Sequence, residues 1–224
     1  MISYVHHFFH NYGMGEQKVQ LHCDNCSGQN KNNYMMWYLA WRVMHKLHLE
    51  ASVHFLVAGH TKFSPDSFFG LIKQKYRKSR VDSLADLERV VQTSSPVAHG
   101  NVPQLVGHED GRVLVPSYDW QSHLRPYFKV LPGIKSYHHF RFEAEKPGRV
   151  WCKKDLDDTE VEFQLLKEPG VLPPLSQLPL LKPAGLDATR QRYLFEKIRD
   201  FVSAEAKDIT CPPPKEPQTK NLRF

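Results

Sequence analysis

Two aspartates set among polar residues are where this sequence offers chemistry. Asp24 opens the string Asp24-Asn25-Cys26-Ser27-Gly28-Gln29-Asn30-Lys31-Asn32-Asn33, and Asp66 closes the string Gly59-His60-Thr61-Lys62-Phe63-Ser64-Pro65-Asp66. Two carboxylates that converge can hold Mg2+ or Mn2+, which take oxygen ligands. A pair of such ions clamps the attacking and leaving oxygens of a phosphodiester. Each aspartate also has a plainer explanation. Asp66 falls in what reads as the first turn of a helix, where the macrodipole favours an acid, and Asp24 can cap its own turn.

Other reactive types are weaker candidates. Cys23 and Cys26 form a lone C-x-x-C. A redox pair needs its cysteines at a helix N-terminus, and a zinc site needs a second pair of ligands at suitable spacing. A zinc or redox module would show stoichiometric zinc or a low thiol pKa; two ordinary half-buried thiols is the simpler expectation. The adjacent histidines His6–His7 and His138–His139 fall on opposite sides of their elements and are poor chelators. Lys73, Lys75, Arg77, Lys78 and Arg80 form a basic run that suits a phosphate backbone, although a solvated helix face explains it almost equally well.

The elements that must position these residues follow from periodicity. Residues 19–23 read as a short strand, and Asp24 stands where it ends, at the place where ligands gather in open α/β sheets. Residues 33–49 read as a helix, with Met36, Leu39, Ala40, Val43 and Leu47 at helical spacing and Asn30 or Asn32 as its cap. Trp37 and Trp41 lie close to that stripe and read as core. Residues 51–58 are apolar and β-branched enough for a buried strand, parallel to the first because a helix separates them. That crossover brings Asp24 and the loop 59–66 to one edge of the sheet. Ser64 and Pro65 start a helix to about residue 78, and Ser83 with Asp86 forms a capping box for another over 83–91. A helix over 3–11 opens the chain, which is odd for an α/β domain.

Past a Ser/Pro/Gly/Asn-rich break at 93–103 the pattern changes. A hairpin is expected around Glu109-Asp110-Gly111, a short helix over 119–128, and strands over 136–143 and 149–153 around Lys146-Pro147-Gly148. Residues 160–167 read as a short helix. The expected organisation is therefore a core over 1–93, an α+β extension over 104–168, a proline-rich connector over 169–185, a helix over 186–205 and a disordered tail over 206–224.

Composition bounds the rest. With 224 residues, 41% hydrophobic and 12% aromatic, the chain can bury a real core. A net charge of +6 favours anionic partners and says nothing of fold. Four cysteines in this length make no disulfide framework. No run approaches the ~20 apolar residues of a membrane span, and the N-terminus lacks signal-peptide features. A nuclear or cytoplasmic protein with no membrane partner is expected.

The two polar strings, with Phe69-Gly70-Leu71-Ile72-Lys73 after them, resemble a large transposon-derived family of eukaryotic genomes that carries D-N-x-x-G-Q-N-K-N and G-H-T-K-x-x-x-D motifs. The likeness continues through Val115-Pro116-Ser117-Tyr118-Asp119-Trp120 and His138-His139-Phe140-Arg141-Phe142 and fades in the proline-rich tail. The resemblance implies a ribonuclease-H-like transposase core, in which one acid sits on the opening strand, a second follows the fourth strand and a third lies on a later helix. Asp24 matches the second and Asp66 the third. The sequence is then expected to begin after the opening strands, without the first acid. What is implied is a partial ribonuclease-H-like α/β core related to metal-dependent DNA cleavage or strand transfer and inactive alone. Asp24 and Asp66 would hold Mg2+ or Mn2+, and Asn25, Gln29, Lys31, His60 and Lys62 would support them or contact phosphate. DNA is the expected partner, with a second copy or another protein completing the sheet. The rival expectation is a non-catalytic scaffold for nucleic acid or protein.

Overall fold

The computed structural model describes residues 1–56, 64–97, 100–108 and 110–214. The chain forms two compact units, Met1–Thr61 with Leu105–Lys182, and Lys62–Gln104 with Pro183–Phe224.

The first unit is built on a five-stranded mixed sheet. Helix α1 (Ile2–Asn11) leads into β1 (Lys18–Cys23), helix α2 (Asn33–Met44) and β2 (Glu50–Phe55). As the crossover rule requires, β1 and β2 are parallel, with Val19 opposite Ala51 and Cys23 opposite Phe55. The sheet continues through β3 (His139–Glu143), β4 (Arg149–Lys153) and β5 (Val161–Gln164), each antiparallel to its neighbour, in the order β1-β2-β3-β4-β5. The division expected between 93 and 104 is therefore crossed by hydrogen bonds, because His139–Glu143 pairs directly with β2. Among the described residues, β1 is a terminal strand of the sheet.

Alternation gives the sheet two different faces. Val19, Leu21, Ala51, Val53, Phe140, Phe142 and Cys152 pack with α2 in one core. Every residue of α2 from 35 to 44 is buried. A helix apolar on all sides belongs in the interior, and its far side is covered by Trp120, Leu124 and Phe128 around the short helix α5 (Trp120–Leu124). Its indoles find acceptors in the chain that wraps it: Trp37 Nε1 donates to the Lys129 carbonyl at 2.7 Å and Trp41 Nε1 to that of Pro174 at 3.1 Å. The proline-rich connector thus supplies carbonyls to the core.

Three expectations change. The helix predicted to reach residue 49 stops at Met44, where Lys46 takes a left-handed φ of 55° and turns the chain into β2. Within residues 160–167 the chain forms β5 (Val161–Gln164) and not a helix. The alternation of Glu162 and Gln164 with Val161, Phe163 and Leu165 has period two, and Leu165 and Leu166 are buried behind it. The hairpin around 109–111 is reduced to a single bridge between Gly107 and Val113 among the described residues. The turn at Lys146-Pro147-Gly148 does form, and glycine is required there: φ is +75° and a Cβ would collide with Leu166 Cγ.

The second unit contains α3 (Ser64–Arg77), α4 (Leu84–Gln92), α6 (Ala188–Tyr193) and α7 (Lys207–Thr210). The capping box of α4 is present, with Ser83 and Asp86 satisfying each other's backbone donors. Asp82 ties the unit's two segments together: Ser203 N donates to its carboxylate at 3.0 Å and Thr210 Oγ1 to its carbonyl at 2.6 Å. The helix expected over 186–205 is broken, α6 passing into a π-type turn over Leu194–Ile198. Most of the expected disordered tail, 215–224, lies outside the described residues, as does the stretch 57–63.

Candidate functional site

Asp24 follows directly on β1, exposed at the carboxyl end of the strand. Its Oδ1 accepts from Asn30 Nδ2 and, at 3.4 Å, from the Cys26 backbone N–H. Lys31, Asn32 and Asn33 turn their side chains to the protein's own backbone. Lys31 is buried at 2% exposure, its ammonium donating to the Lys135 carbonyl at 2.9 Å and lying 5.5 Å from the Phe55 ring centroid. Burial lowers its pKa. Asn32 is the N-cap of α2, accepting from Met35 N at 3.1 Å. Asn33 Oδ1 accepts from Leu131 N at 2.8 Å. Lys31, expected at a phosphate, is thus engaged with its own protein's backbone. Asn25 is half-buried and Gln29 exposed.

Of the two residues expected as cap, Asn32 takes the position, and Asn30 donates to the aspartate. Its own Oδ1 is buried without a hydrogen-bond partner. The turn therefore offers two kinds of oxygen donor, the Asp24 carboxylate and an orphaned amide carbonyl, and hard divalent cations take both. That is a fraction of the shell such an ion needs. Among the described residues no three His, Cys, Asp or Glu side chains are grouped to hold a metal ion.

Asp66 lies in the first turn of α3, in the second unit, while Asp24 belongs to the first. His60 and Lys62 fall outside the described residues. Helix α3 buries none of its residues. Lys73, Lys75, Arg77 and Lys78 are exposed along it and just beyond, with Phe69 66% and Tyr76 50% exposed among them. Arg80 is exposed and pairs with Asp82 at 2.6 Å.

The thiols carry no redox signature. Cys23, Cys26, Cys152 and Cys211 are free. Burial, with the Asp24 charge beside it, raises the Cys23 pKa, the opposite of what a reactive thiol needs. Burial pushes Cys152 up to about 12.

The face of the sheet turned away from α2 holds residues that sequence reasoning passed over. Cross-strand rows run Gln20–Ser52–Arg141–Trp151 and His22–His54–His139–Lys153. All of these but His22 line a groove of 490 Å³ that also includes Lys18, Glu50 and Glu160. Arg141 stacks 4.6 Å from the Trp151 ring and donates to Glu160 at 2.7 Å, which raises its pKa. Each histidine sits at an outward position of its strand, so alternation marks them as sharing a face only once the strand register is known.

No helix among the described residues is long and apolar enough to cross a membrane. No curated protein and no solved structure matches the chain. A family pattern described as "Domain of unknown function (DUF7869)" matches residues 2–156, from α1 to just past β4, and so takes in Asp24, Asp66, α3 and the first four strands. With more than half its length matched, the chain belongs to the DUF7869 family.

Proposed function

We propose that this chain is a transposase-derived domain of the ribonuclease-H-like kind, related to metal-dependent DNA cleavage and strand transfer and inactive by itself. The observation that carries the reading is the placement of Asp24. It is an exposed carboxylate at the carboxyl end of a terminal strand, in a strand–helix–strand unit with parallel strands. The resemblance puts its second acid at that position. The edge of β1, unpaired among the described residues, also suits a sheet completed by another strand, whether from a second copy or another protein. In this reading Asp24, helped by the orphaned Asn30 carbonyl, holds one side of a Mg2+ or Mn2+ shell, and Asp66 is the matching acid of α3. The ion's contribution would be to stabilise charge on a phosphodiester. The exposed cations and aromatics of α3 would track the DNA backbone and stack on bases.

The test is calorimetric titration of Mg2+ and Mn2+ into the chain and into an Asp24→Asn/Asp66→Asn double variant. Saturable binding lost in the variant supports the carboxylate site. No binding in a folded protein removes it.

A second reading, a non-catalytic scaffold for nucleic acid or protein, is favoured by a different observation. Lys31, Asn32 and Asn33 all make hydrogen bonds that a folded domain needs whether or not it does chemistry. DNA binding that is undiminished by chelator and by Asp24→Asn would favour it.

A further inference from the structure

We infer that the groove on the outer face of the sheet binds a phosphate group, held at one end by His54, His139 and Lys153. The site is separate from the carboxylates of the Asp24 turn and does not rest on the reading given to them. His54, His139 and Lys153 stand in register on β2, β3 and β4, and all three line the groove. Neighbouring strands lie about 4.8 Å apart, so the three residues are anchored within about 10 Å of one another.

Charge in the groove is unevenly settled. Toward its other end Lys18 pairs with Glu50 at 3.1 Å, and Arg141 pairs with Glu143 and, at 2.7 Å, with Glu160. Both carboxylates that line the groove, Glu50 and Glu160, therefore already have a cation. The histidine and lysine end differs: among the described residues, none of His54, His139 and Lys153 forms an ion pair. Lys153 Nζ gives one of its donors to the Leu156 carbonyl at 3.0 Å and keeps the others. Ser52, one row along and 8% exposed, lines the groove with a hydroxyl that has no hydrogen-bond partner among the described residues. Spare donors, an ammonium without a carboxylate and no unpaired acid on the walls suit an anion. A phosphate group brings several strong acceptor oxygens, enough to meet donors arriving from three strands at once. At 490 Å³ the groove also has room for the organic part of a phosphate ester.

The histidine pair adds a charge that depends on pH. The two Nδ1 atoms are 2.9 Å apart, one donating and the other accepting, so each ring keeps its Nε2 out of that bond. The accepting ring carries its proton on Nε2. The donating ring has a free Nε2 that can gain a proton without breaking the contact, which makes the pair a cation with two Nε2–H donors. In the empty groove that cation is disfavoured. Burial lowers the His54 pKa, as do His139 and His22 beside it. Burial also lowers that of His139, with His138, Lys153 and His22 acting the same way and Asp155 against them. An anion beside the pair reverses the balance, so binding takes up a proton and strengthens as pH falls.

The experiment titrates inorganic phosphate and, separately, a short single-stranded oligonucleotide into the full chain by calorimetry, at pH 6 and pH 8 and in two buffers of different ionisation enthalpy. The variants are Lys153→Gln, His54→Gln and His139→Gln, with Asp24→Asn/Asp66→Asn and His7→Gln/His10→Gln as controls. Saturable one-to-one phosphate binding is expected, about tenfold tighter at pH 6 than at pH 8, with uptake of up to one proton. Lys153→Gln should weaken it at least about fivefold and keep the proton uptake. Either histidine substitution should weaken it and abolish the uptake. Both controls should bind as the parent does, so failure of the Asp24 site leaves this one standing. An oligonucleotide that displaces phosphate and binds more tightly supports the site with a phosphodiester chain as its ligand; binding of phosphate alone supports it with a free phosphate or small ester. Should a variant fail to fold, chemical-shift mapping of the unmodified chain decides the matter: phosphate must move the amides of 52–55, 138–141 and 152–154 first. Binding of neither probe to the folded chain, indifference to all three substitutions, or shifts centred elsewhere would each overturn the site.

Discussion

The turn after β1 and the helix α3 look alike as sequence and behave oppositely as structure. Both are polar and both flank an aspartate, yet Lys31 of the turn is 2% exposed while α3 buries no residue. In the turn, Asn30, Lys31, Asn32 and Asn33 each have a side-chain partner in the fold. On α3 and just beyond it, Lys73, Lys75, Arg77 and Lys78 stand in solvent. Polarity in the first region is a means of holding a chain reversal against a core; in the second it is available to a partner.

Acid should separate the two regions most strongly. Burial and the Arg42 guanidinium lower the pKa of His6 and of His48 to about 4 in the unit that contains the turn. Arg42 is itself buried, held by the His48 Nδ1 at 3.1 Å and the Tyr38 hydroxyl at 3.0 Å. Both imidazoles are neutral in the fold and take up protons more readily when unfolded. Their stabilisation is therefore complete above pH ~6.5 and lost as pH falls toward 4, on the order of 1–2 kcal/mol for each once the shift is discounted for screening by solvent at these partly exposed rings. Asp82 and Asp86, in the unit that holds α3, have lowered pKa values and lose their contribution only below the ordinary carboxylate range. Hydrogen exchange between pH 7 and 4.5 should thus show α2 and β1–β2 loosening before α4. Uniform loosening would contradict the assignment of neutral His6 and His48.

Charge reversal at Lys73, Lys75, Arg77 and Lys78 should weaken binding to duplex DNA by roughly a hundredfold at low salt and flatten the salt dependence. Melting temperature should hardly move. Fluorescence anisotropy across a salt series reads both effects, and an unchanged salt slope would place any DNA contact elsewhere. Within the turn the expectation inverts: Asn33→Ala leaves the Leu131 N–H without its acceptor and should cost about 2 kcal/mol in urea unfolding, with no change in salt slope. Smaller still, Asn32→Ala removes the cap of α2 at about 1 kcal/mol, whereas Lys73→Ala should stay within about 0.5 kcal/mol.

What could be read in the sequence was local. The parallel pair around α2, the capping box of Ser83 and Asp86, and the turn at Gly148 all follow from spacing and backbone preference within a few residues. The join between β2 and β3 could not be read, because nothing near either strand states which distant strand it pairs with. Residues 160–167 were misread for a related reason: Val161, Phe163, Leu165 and Leu166 satisfy a helical stripe and a strand alternation nearly as well over so short a run, and pairing with β4 decides. At the candidate site Asp24 was legible from its position after a strand. The inward turn of Lys31 was not, since a lysine in a polar string gives no sign that a carbonyl 104 residues away will accept from it.

The order of the strands has a kinetic consequence. β1 and β2 are separated by one helix and β3, β4 and β5 by short turns, so each group is assembled from near neighbours in the chain. The seam between β2 and β3 spans about 80 residues, and the whole of the second unit's first segment lies inside that interval. Closing so long a loop adds little to the equilibrium cost, about 0.6 kcal/mol for each doubling, but it slows the encounter. Folding should therefore proceed through two half-sheets, each with an exposed edge, that wait for one another. Shortening the interval between residues 62 and 104 would speed that step while leaving every hydrogen bond of the seam unchanged.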